Sequence, residues 1–371
     1  MFRSLYMACL KISLSVCLLL TVYTVHAQFW PYGTQENDSI TLFFVGDVMQ
    51  HAPQIEGARN TAGDYDYTSC FQYIRPYWAK ADYVFANLET TLSDRNFSGY
   101  PHFCAPWQLA RDLQACGVDF LTTNNNHSCD KGAKGIKKTL YFLDSLGIPH
   151  TGTFTDTTSW LKETPLYIRH GQFKIALLSY TYGTNGIPIT DGQVVSLIDT
   201  FTMKRQISKA RLDSATNIIV FVHWGIEYAN KQNARQEKLA AFLHEQGADI
   251  VIGSHPHVVQ PLEYALRQQD TSGITVYSLG NFISNQRKRY TNGGIGVQLH
   301  LKRKNGKMYY KMSYLSCYVF QPFENGGLRY YVIPEPDAPA LLSGRDSLLY
   351  TRFFQDTDAL LQGKAAKYVK D

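Results

Sequence analysis

Nitrogen and oxygen donors cluster in a few short polar segments of the sequence. His255 and His257 flank a proline, so both imidazoles can point the same way from an extended segment, and each neutral ring offers one nitrogen to a metal. Further candidate ligands are Asp47, Asn87, Glu89, Asn126 and His223. This mixture of donors suits manganese, iron or zinc better than calcium, which prefers oxygen ligands alone. The residues therefore predict a centre for one or two divalent transition-metal ions.

Three more residues are candidates for acid-base chemistry beside that centre. Two ions held about 3.5 to 4 Å apart activate water and neutralise charge on a phosphoryl group, which leaves His127 free as a general acid. Asp130 is near enough in sequence to orient His127, or it is a turn or cap residue before the helix that follows. Glu227 is either a further acid at the site or an ordinary surface carboxylate.

Each polar cluster follows a short apolar run that is typical of a buried strand. The predicted strands are Ile40–Val45, Tyr83–Ala86, Val118–Leu121, Ile218–Val222 and Ile250–Ile252. Between them lie segments of helical character at Trp107–Ala115, Ile136–Leu146, Phe201–Leu212 and Gln236–Gln246. This alternation predicts an α/β fold with parallel strands and a cleft at their carboxyl ends.

The later part of the chain has a different pattern. Strand-like runs without intervening helices predict an antiparallel section at Thr275–Leu279, Gly296–Leu301 and Tyr309–Leu315. We expect one large domain over residues 39–334, followed by a C-terminal appendage at 335–371 with a helix over Ser347–Leu361.

Composition restricts the classes of function. With 44% hydrophobic and 18% charged residues, the chain of 371 residues has the composition of a globular protein. Its formal net charge of +5 is spread without a long basic run, which argues against a nucleic-acid partner.

The N-terminus predicts export. Arg3 and Lys11 precede an uncharged, mostly apolar run at Ile12–Val25, and Ala27 offers a small residue for cleavage, so residues 1–27 are predicted to be a signal peptide. The run is shorter than the roughly 20 residues of a spanning helix. An uncleaved anchor and lipidation at Cys17 are the alternatives. We expect the protein in the periplasm or cell envelope.

Five cysteines remain after residue 27, namely Cys70, Cys104, Cys116, Cys129 and Cys317. Disulfides persist outside the cytoplasm, but an odd number leaves at least one thiol unpaired within the chain. No CxxC spacing is present, so a thiolate zinc site is not expected, and most of these cysteines are predicted to be buried and inert.

Motifs occur in a characteristic order over Ile40–Ile283. They are Gly46-Asp47, Asn87-Leu88-Glu89, Asn125-Asn126-His127, His223-Trp224-Gly225, Gly253–His257 and Ser278–Phe282. In this order they resemble the poly-gamma-glutamate capsule biosynthesis family of the CapA type, within the calcineurin-like metallophosphoesterase superfamily. The resemblance implies a four-layer α-β-β-α sandwich, with two sheets between helices and the cleft across the strand ends.

The resemblance also implies a set of site residues. The superfamily's metal ligands carry over onto Asp47, Asn126, His223, His255 and His257, and its general acid carries over onto His127. The superfamily has a histidine two residues after the first aspartate, where this chain has Met49, and His51 is displaced along the chain. Its bridging carboxylate falls in the segment that contains both Asn87 and Glu89.

These observations predict an exported, metal-dependent, hydrolase-like protein of capsule or anionic-polymer biosynthesis. Its partners would be an anionic polymer or phosphate-bearing substrate and a membrane-associated biosynthesis complex. One alternative is a non-catalytic polymer-binding or assembly subunit, which Met49 favours. A further alternative is an exported phosphodiesterase or nucleotidase.

Overall fold

Two large β-sheets form the centre of the structure, a computed structural model that describes residues 38–267, 270–324 and 326–368. The strands of the described residues, in chain order, are β1 (Ser39–Val48), β2 (Tyr83–Leu88), β3 (Thr91–Ser93), β4 (Cys104–Pro106), β5 (Phe120–Thr122), β6 (His150–Thr151), β7 (Thr153–Phe154), β8 (Leu166–His170), β9 (Phe173–Thr181), β10 (Val194–Val195), β11 (Asn217–His223), β12 (Ile250–Ser254), β13 (Leu262–Arg267), β14 (Asp270–Val276), β15 (Asn281–Ile283), β16 (Gly293–Lys304), β17 (Lys307–Phe320), β18 (Phe323–Glu324), β19 (Gly327–Leu328), β20 (Tyr331–Pro334) and β21 (Ala366–Lys367).

Helices connect most of the parallel strands. They are α1 (Ala52–Ala58), α2 (Arg75–Trp78), α3 (Gln108–Cys116), α4 (Gly132–Leu146), α5 (Thr157–Glu163), α6 (Thr200–Leu212), α7 (Ala234–Gln246), α8 (Ala338–Leu341) and α9 (Gly344–Leu361). The four helices predicted between the strands and the helix predicted in the tail are thus confirmed, with ends shifted by a few residues.

The two sheets have different strand orders. The larger sheet runs β20-β17-β16-β1-β2-β5-β6, with β15 beside β1 and β21 beside β17. The smaller sheet runs β13-β14-β12-β11-β9-β8. Strands β1, β2, β5 and β6 are parallel to their neighbours in that order, and so are β9, β11, β12 and β14. The carboxyl ends of these parallel strands form the edge where the polar clusters lie.

Alternating side chains of β1 separate two cores. Leu42 and Phe44 pack in a core shared with Ile219 and Phe221 of the smaller sheet, and the Phe44 and Phe221 ring centroids are 5.8 Å apart. Phe43 and neighbouring residues face the opposite side, in a core that includes residues of α3 and α4. The first of these cores, which contains Leu42 and Phe44, lies between the two sheets and makes the fold a sandwich.

A third core completes the four layers. Leu178 and Val220 of the smaller sheet pack against Met203 and Ile207 of α6 and Leu243 of α7. Each sheet therefore has helices on its outer face and the other sheet on its inner face. The predicted α-β-β-α fold class is confirmed.

The prediction for residues 275–279 needs correction. Thr275 and Val276 belong to β14, which is antiparallel to β13 but parallel to β12, and Tyr277–Leu279 lie outside the strand. A parallel pair of strands is usually connected by a helix, and the sequence has none directly before residue 275. Here strand β13 makes the connection from β12 to β14, so the lack of a helix did not reveal that β12 and β14 are parallel. The predicted antiparallel runs at Gly296–Leu301 and Tyr309–Leu315 lie within β16 and β17, which do pair antiparallel.

The C-terminal segment packs on the larger sheet. Phe353 and Phe354 of α9 contact Tyr318 of β17 and Ile333 of β20, and β21 pairs with β17. The domain boundaries at 334 and 335 stay a prediction. All five cysteines of the described residues are buried and free of disulfides, as expected for most of them.

The predicted signal peptide and the lipidation alternative at Cys17 lie outside the described residues. Within the residues that are described, no helix combines the length and apolar composition needed to cross a bilayer.

Gly46 is a position where the backbone tolerates no side chain. A Cβ there would lie 1.9 Å from the Gly280 carbonyl oxygen, which accepts a hydrogen bond from Asp47 N at 3.1 Å. We expect Gly46→Ala to lower the free energy of unfolding by about 3 kcal/mol or more, measured by urea denaturation. Gly183→Ala is the matched control, because nothing lies within 4 Å of a Cβ at that site. Equal stability of the two variants would contradict the close approach.

Candidate metal centre

The carboxyl ends of parallel strands from both sheets meet at one buried site. Asp47 lies near the end of β1, Glu89 directly follows β2, and His223 ends β11. Segments after β5 and β12 supply Asn126, His127, His255 and His257. Each of these side chains is less than 5% exposed. The fold thus brings together residues that are up to 210 positions apart in the chain.

Asp47 is bonded to groups from both sheets. Asn87 Nδ2 donates to Asp47 Oδ1 at 2.8 Å, and His257 Nδ1 lies 3.2 Å from Asp47 Oδ2. The backbone N–H of His255 approaches the same Oδ2 at 3.4 Å. These contacts hold the carboxylate in one orientation.

Asn87 has partners on both of its polar atoms. Its Oδ1 accepts from Thr122 Oγ1 at 3.3 Å and from Asn125 Nδ2 at 3.5 Å, while its Nδ2 donates to Asp47. The Asn87 side chain is therefore engaged by protein groups, unlike that of Glu89 two residues later.

Glu89 is fully buried, and in the described structure neither of its carboxylate oxygens has a hydrogen-bond partner. Its Oε1 lies 3.6 Å from His223 Nε2 and 3.9 Å from His257 Nε2. Burial, followed by the nearby charge of Asp47, raises the pKa of Glu89 well above its ordinary value. A buried carboxylate without a donor is costly unless a cation or proton occupies the site.

His255 also has an orphaned atom. Its Nδ1 is buried without a hydrogen-bond partner among the described residues, and burial lowers the pKa of the ring to about 3, so the ring is neutral. Neutral imidazole is the form that binds metal. A lone pair on His255 and a bare carboxylate on Glu89 therefore fit a divalent cation.

Two groups of potential ligands share Glu89. One consists of Glu89, His255 and His257, and the other of Asp47, Glu89 and His223, with the ligand atoms of each group within 4.8 Å of one another. His223 Nε2 also lies 2.7 Å from Asn126 Oδ1, which adds an oxygen donor to the second group. Either group could hold a divalent ion, and both groups contain Glu89.

The backbone around the histidine pair differs from the extended conformation expected. His255 has φ of 97° and His257 has φ of 58°, both in the left-handed region that residues other than glycine rarely adopt. Such strain persists where surrounding contacts impose it, here the His255 N–H and His257 Nδ1 contacts to Asp47. Both rings still point to the same site, because the left-handed residues turn the chain around Pro256.

His127 and Asp130 form a dyad at the edge of the site. His127 Nδ1 lies 2.7 Å from Asp130 Oδ2, which also accepts the backbone N–H of Phe103 at 2.5 Å. The Phe103 ring packs edge-on against His127, with centroids 4.6 Å apart. Asp130 thus contacts His127, as one of its two interpretations required. Glu227 is exposed in the turn after β11, and after burial its charge is the next cause that raises the pKa of the neighbouring Tyr228, so its role as an acid stays a prediction.

Met49 and His51 follow Asp47 but enter neither ligand group. Gln54 Nε2 donates to Met49 O at 3.0 Å, so Gln54 Oε1 accepts from the His51 backbone N–H and ring Nδ1, at 2.9 and 3.1 Å. The backbone N–H of Asn285 also approaches His51 Nδ1, at 3.4 Å. Burial lowers the pKa of His51 to about 4, so the ring is neutral.

Two residues at the site were missed by the sequence reasoning. Tyr182 follows β9, and its ring centroid lies 4.6 Å from that of His255. Ser254 Oγ lies 2.9 Å from His223 Nδ1 and orients that ring. The signal for Tyr182 was the apolar run Phe173–Thr181, which ends in a polar segment as the other strands do.

The chain is similar to several known proteins. The sequence profile described as bacterial capsule synthesis protein PGA_cap matches residues 41–286. Capsule biosynthesis protein CapA of Bacillus anthracis is 32% identical over 292 residues, which cover 74% of this chain and 67% of that protein. PGA biosynthesis protein CapA of Bacillus subtilis (strain 168) is 31% identical over 283 residues, which cover 74% and 70%. The solved NAD nucleotidase (NadN) of Haemophilus influenzae aligns with a TM-score of 0.46 at 12% identity, over 90% of this chain and 64% of that one.

Proposed function

Because the chain belongs to the bacterial capsule synthesis family PGA_cap, we propose that it is an exported cell-envelope protein that acts on an anionic capsule polymer at a divalent-metal centre. The polymer is of the poly-gamma-glutamate kind, and the chemistry is hydrolase-like. The main evidence for a bound metal is the state of Glu89. This carboxylate is buried, lacks any described hydrogen-bond donor, and is flanked by His223 and His257.

The proposed ligands divide between the two groups. The residues that would hold one or two ions of manganese, iron or zinc are Asp47, Glu89, Asn126, His223, His255 and His257. We assign the shared position to Glu89 rather than Asn87, because the Asn87 amide already bonds Asp47 and two other side chains. Asn87 then serves to orient Asp47.

The other residues bind, orient and move protons. A bound divalent ion would acidify a water and neutralise negative charge on the substrate. His127, oriented through its Nδ1 contact with Asp130, presents its Nε2 to protonate the leaving group. Tyr182 and Tyr228, which are 48% and 44% exposed, line the entrance beside His255 and His257.

Metal analysis of the full chain tests the centre. We expect one or two equivalents of transition metal, and a higher melting temperature on adding Mn²⁺ to the stripped protein, since ligand at about 100 times its Kd adds roughly 2.7 kcal/mol. The His255→Ala/His257→Ala variant should lose both effects. Metal-free wild-type protein whose melting temperature does not respond to Mn²⁺, Fe²⁺ or Zn²⁺ would refute the centre.

Activity assays with added Mn²⁺ then separate the alternatives. The proposed function predicts cleavage of poly-gamma-glutamate chains. Saturable polymer affinity without turnover would identify a binding or assembly subunit, a role consistent with Met49 at the position of a superfamily ligand. Rapid phosphate release from small esters would instead indicate a phosphodiesterase or nucleotidase.

A further inference from the structure

Lys288 lies over the ring of Tyr228, which neighbours the histidine pair. Lys288 Nζ is 5.2 Å from the centroid of the Tyr228 ring, and that ring is 6.1 Å from the ring of His257. No carboxylate among the described residues forms an ion pair with Lys288. The neighbouring Arg289, in contrast, is neutralised by Asp356, with Nη2 and Oδ1 2.9 Å apart. Arg287 of the same loop instead donates to the Val319 carbonyl at 2.7 Å, so Lys288 is a cation of this loop without a described hydrogen bond or ion pair at its Nζ.

The loop that contains Lys288 is hydrogen-bonded to a strand that borders the site. It follows β15, whose Asn281 is paired with Asp47 in the sheet. Asn281 Nδ2 donates to Thr291 O at 2.8 Å and to Gln286 Oε1 at 3.0 Å. Thr291 in turn donates to the Lys288 carbonyl through its backbone N–H and its hydroxyl, both at 2.9 Å. The position of Lys288 is therefore set by contacts with a strand of the metal site.

Tyr228 is fixed from the other sheet. Its backbone N–H donates at 2.8 Å to the carbonyl of Pro256, the residue between the two histidines. Its φ of 66° lies in the left-handed region, a strained conformation for tyrosine that a hydrogen bond of this kind sustains. The Lys288 ammonium and the Tyr228 ring beneath it thus come from different sheets and meet on the side of Tyr228 that belongs to the surroundings of His257.

We propose that Lys288, supported by the Tyr228 ring, binds an anionic group of the substrate next to the one held at the metal centre. The chemistry it recognises is a carboxylate or a phosphate, since a lysine acts as a point charge toward both. This inference rests on the proposed function, because it requires a substrate with repeated negative charge. It adds a residue that selects for anionic substrates and lies outside the ligand set.

Binding measurements on the metal-loaded full chain test it. We would compare fluorescent poly-gamma-glutamate of defined length, inorganic polyphosphate and neutral dextran, using wild type, Lys288→Gln, Lys288→Glu and the control Lys204→Gln. Lys204 is an exposed lysine on α6, so its variant loses the same charge on a different element. We expect affinity for the preferred anionic polymer to fall about fivefold in Lys288→Gln and further in Lys288→Glu, because a like charge repels the polymer. The Lys204→Gln variant should bind the polymer with the affinity of wild type, and the metal content of all variants should equal that of wild type.

The outcomes separate the two proposals. If wild type binds an anionic polymer and both Lys288 variants bind it as Lys204→Gln does, the role of Lys288 is refuted while the proposed function stands. If wild type binds no anionic polymer, the proposed function fails and this inference fails with it. The group recognised is identified by the polymer for which Lys288→Gln loses more affinity relative to wild type. A larger loss for poly-gamma-glutamate indicates a carboxylate, and a larger loss for polyphosphate indicates a phosphate.

Discussion

Glu89→Gln is expected to remove bound metal while making the metal-free protein more stable. Both ligand groups contain Glu89, so the loss in metal affinity should exceed the roughly 10- to 100-fold that loss of an outer hydrogen-bond partner costs. The same change replaces a buried carboxylate without a described donor by a neutral amide that can donate to Asp47. We therefore expect the free energy of unfolding of the stripped protein to rise by about 1 to 3 kcal/mol.

These two effects of opposite sign distinguish a ligand from a structural carboxylate. Metal content of the purified variant and urea denaturation in a chelator measure them separately. Glu245→Gln is the control, because Glu245 is an exposed carboxylate on α7, and neither quantity should change in that variant. A Glu89→Gln protein that retains full metal content would exclude Glu89 as the shared ligand. A stripped variant less stable than stripped wild type would show that Glu89 is held by protein contacts instead.

His127→Ala is expected to slow turnover by about 10²- to 10⁴-fold with metal content unchanged, the usual contribution of a positioned general acid. The reason is the geometry of the dyad, in which Asp130 Oδ2 holds His127 Nδ1 at 2.7 Å and leaves Nε2 for the substrate. The loss should depend on the leaving group. An alkoxide or amine must be protonated as it departs, whereas p-nitrophenolate needs no acid.

Steady-state rates on matched substrates with poor and good leaving groups therefore test the assignment. We expect the full loss with the poor leaving group and less than about a tenfold loss with p-nitrophenolate. His102→Ala is the control, since its Nδ1 is 4.0 Å from Asp130 Oδ1, beyond hydrogen-bond distance, and its side chain is exposed. Equal losses on both substrates, or loss of metal, would remove His127 from the role of acid.

The sequence by itself determined the elements and the polar positions at their ends. Apolar runs such as Ile218–Val222 predict buried strands, and β11 is buried along its whole length. The residue after such a run lies at the sheet edge, so the sequence predicts Asp47, His223 and the histidine pair at that edge, where the structure places them. These signals are local, because the apolar run that marks a buried strand and the polar residues that follow it are contiguous in the chain.

Only the tertiary structure shows which of the candidate side chains lie together and which already have protein partners. Asn87 and Glu89 are two residues apart and equally plausible as ligands from sequence. In the fold Asn87 donates to Asp47, while neither carboxylate oxygen of Glu89 has a hydrogen-bond partner among the described residues. The sequence also could not predict the left-handed turn at His255 and His257 or the placement of Lys288 over Tyr228. Each depends on contacts between two sheets whose residues are distant in sequence. No local pattern encodes such contacts, because they are set by how the sheets pack and not by spacing along the chain.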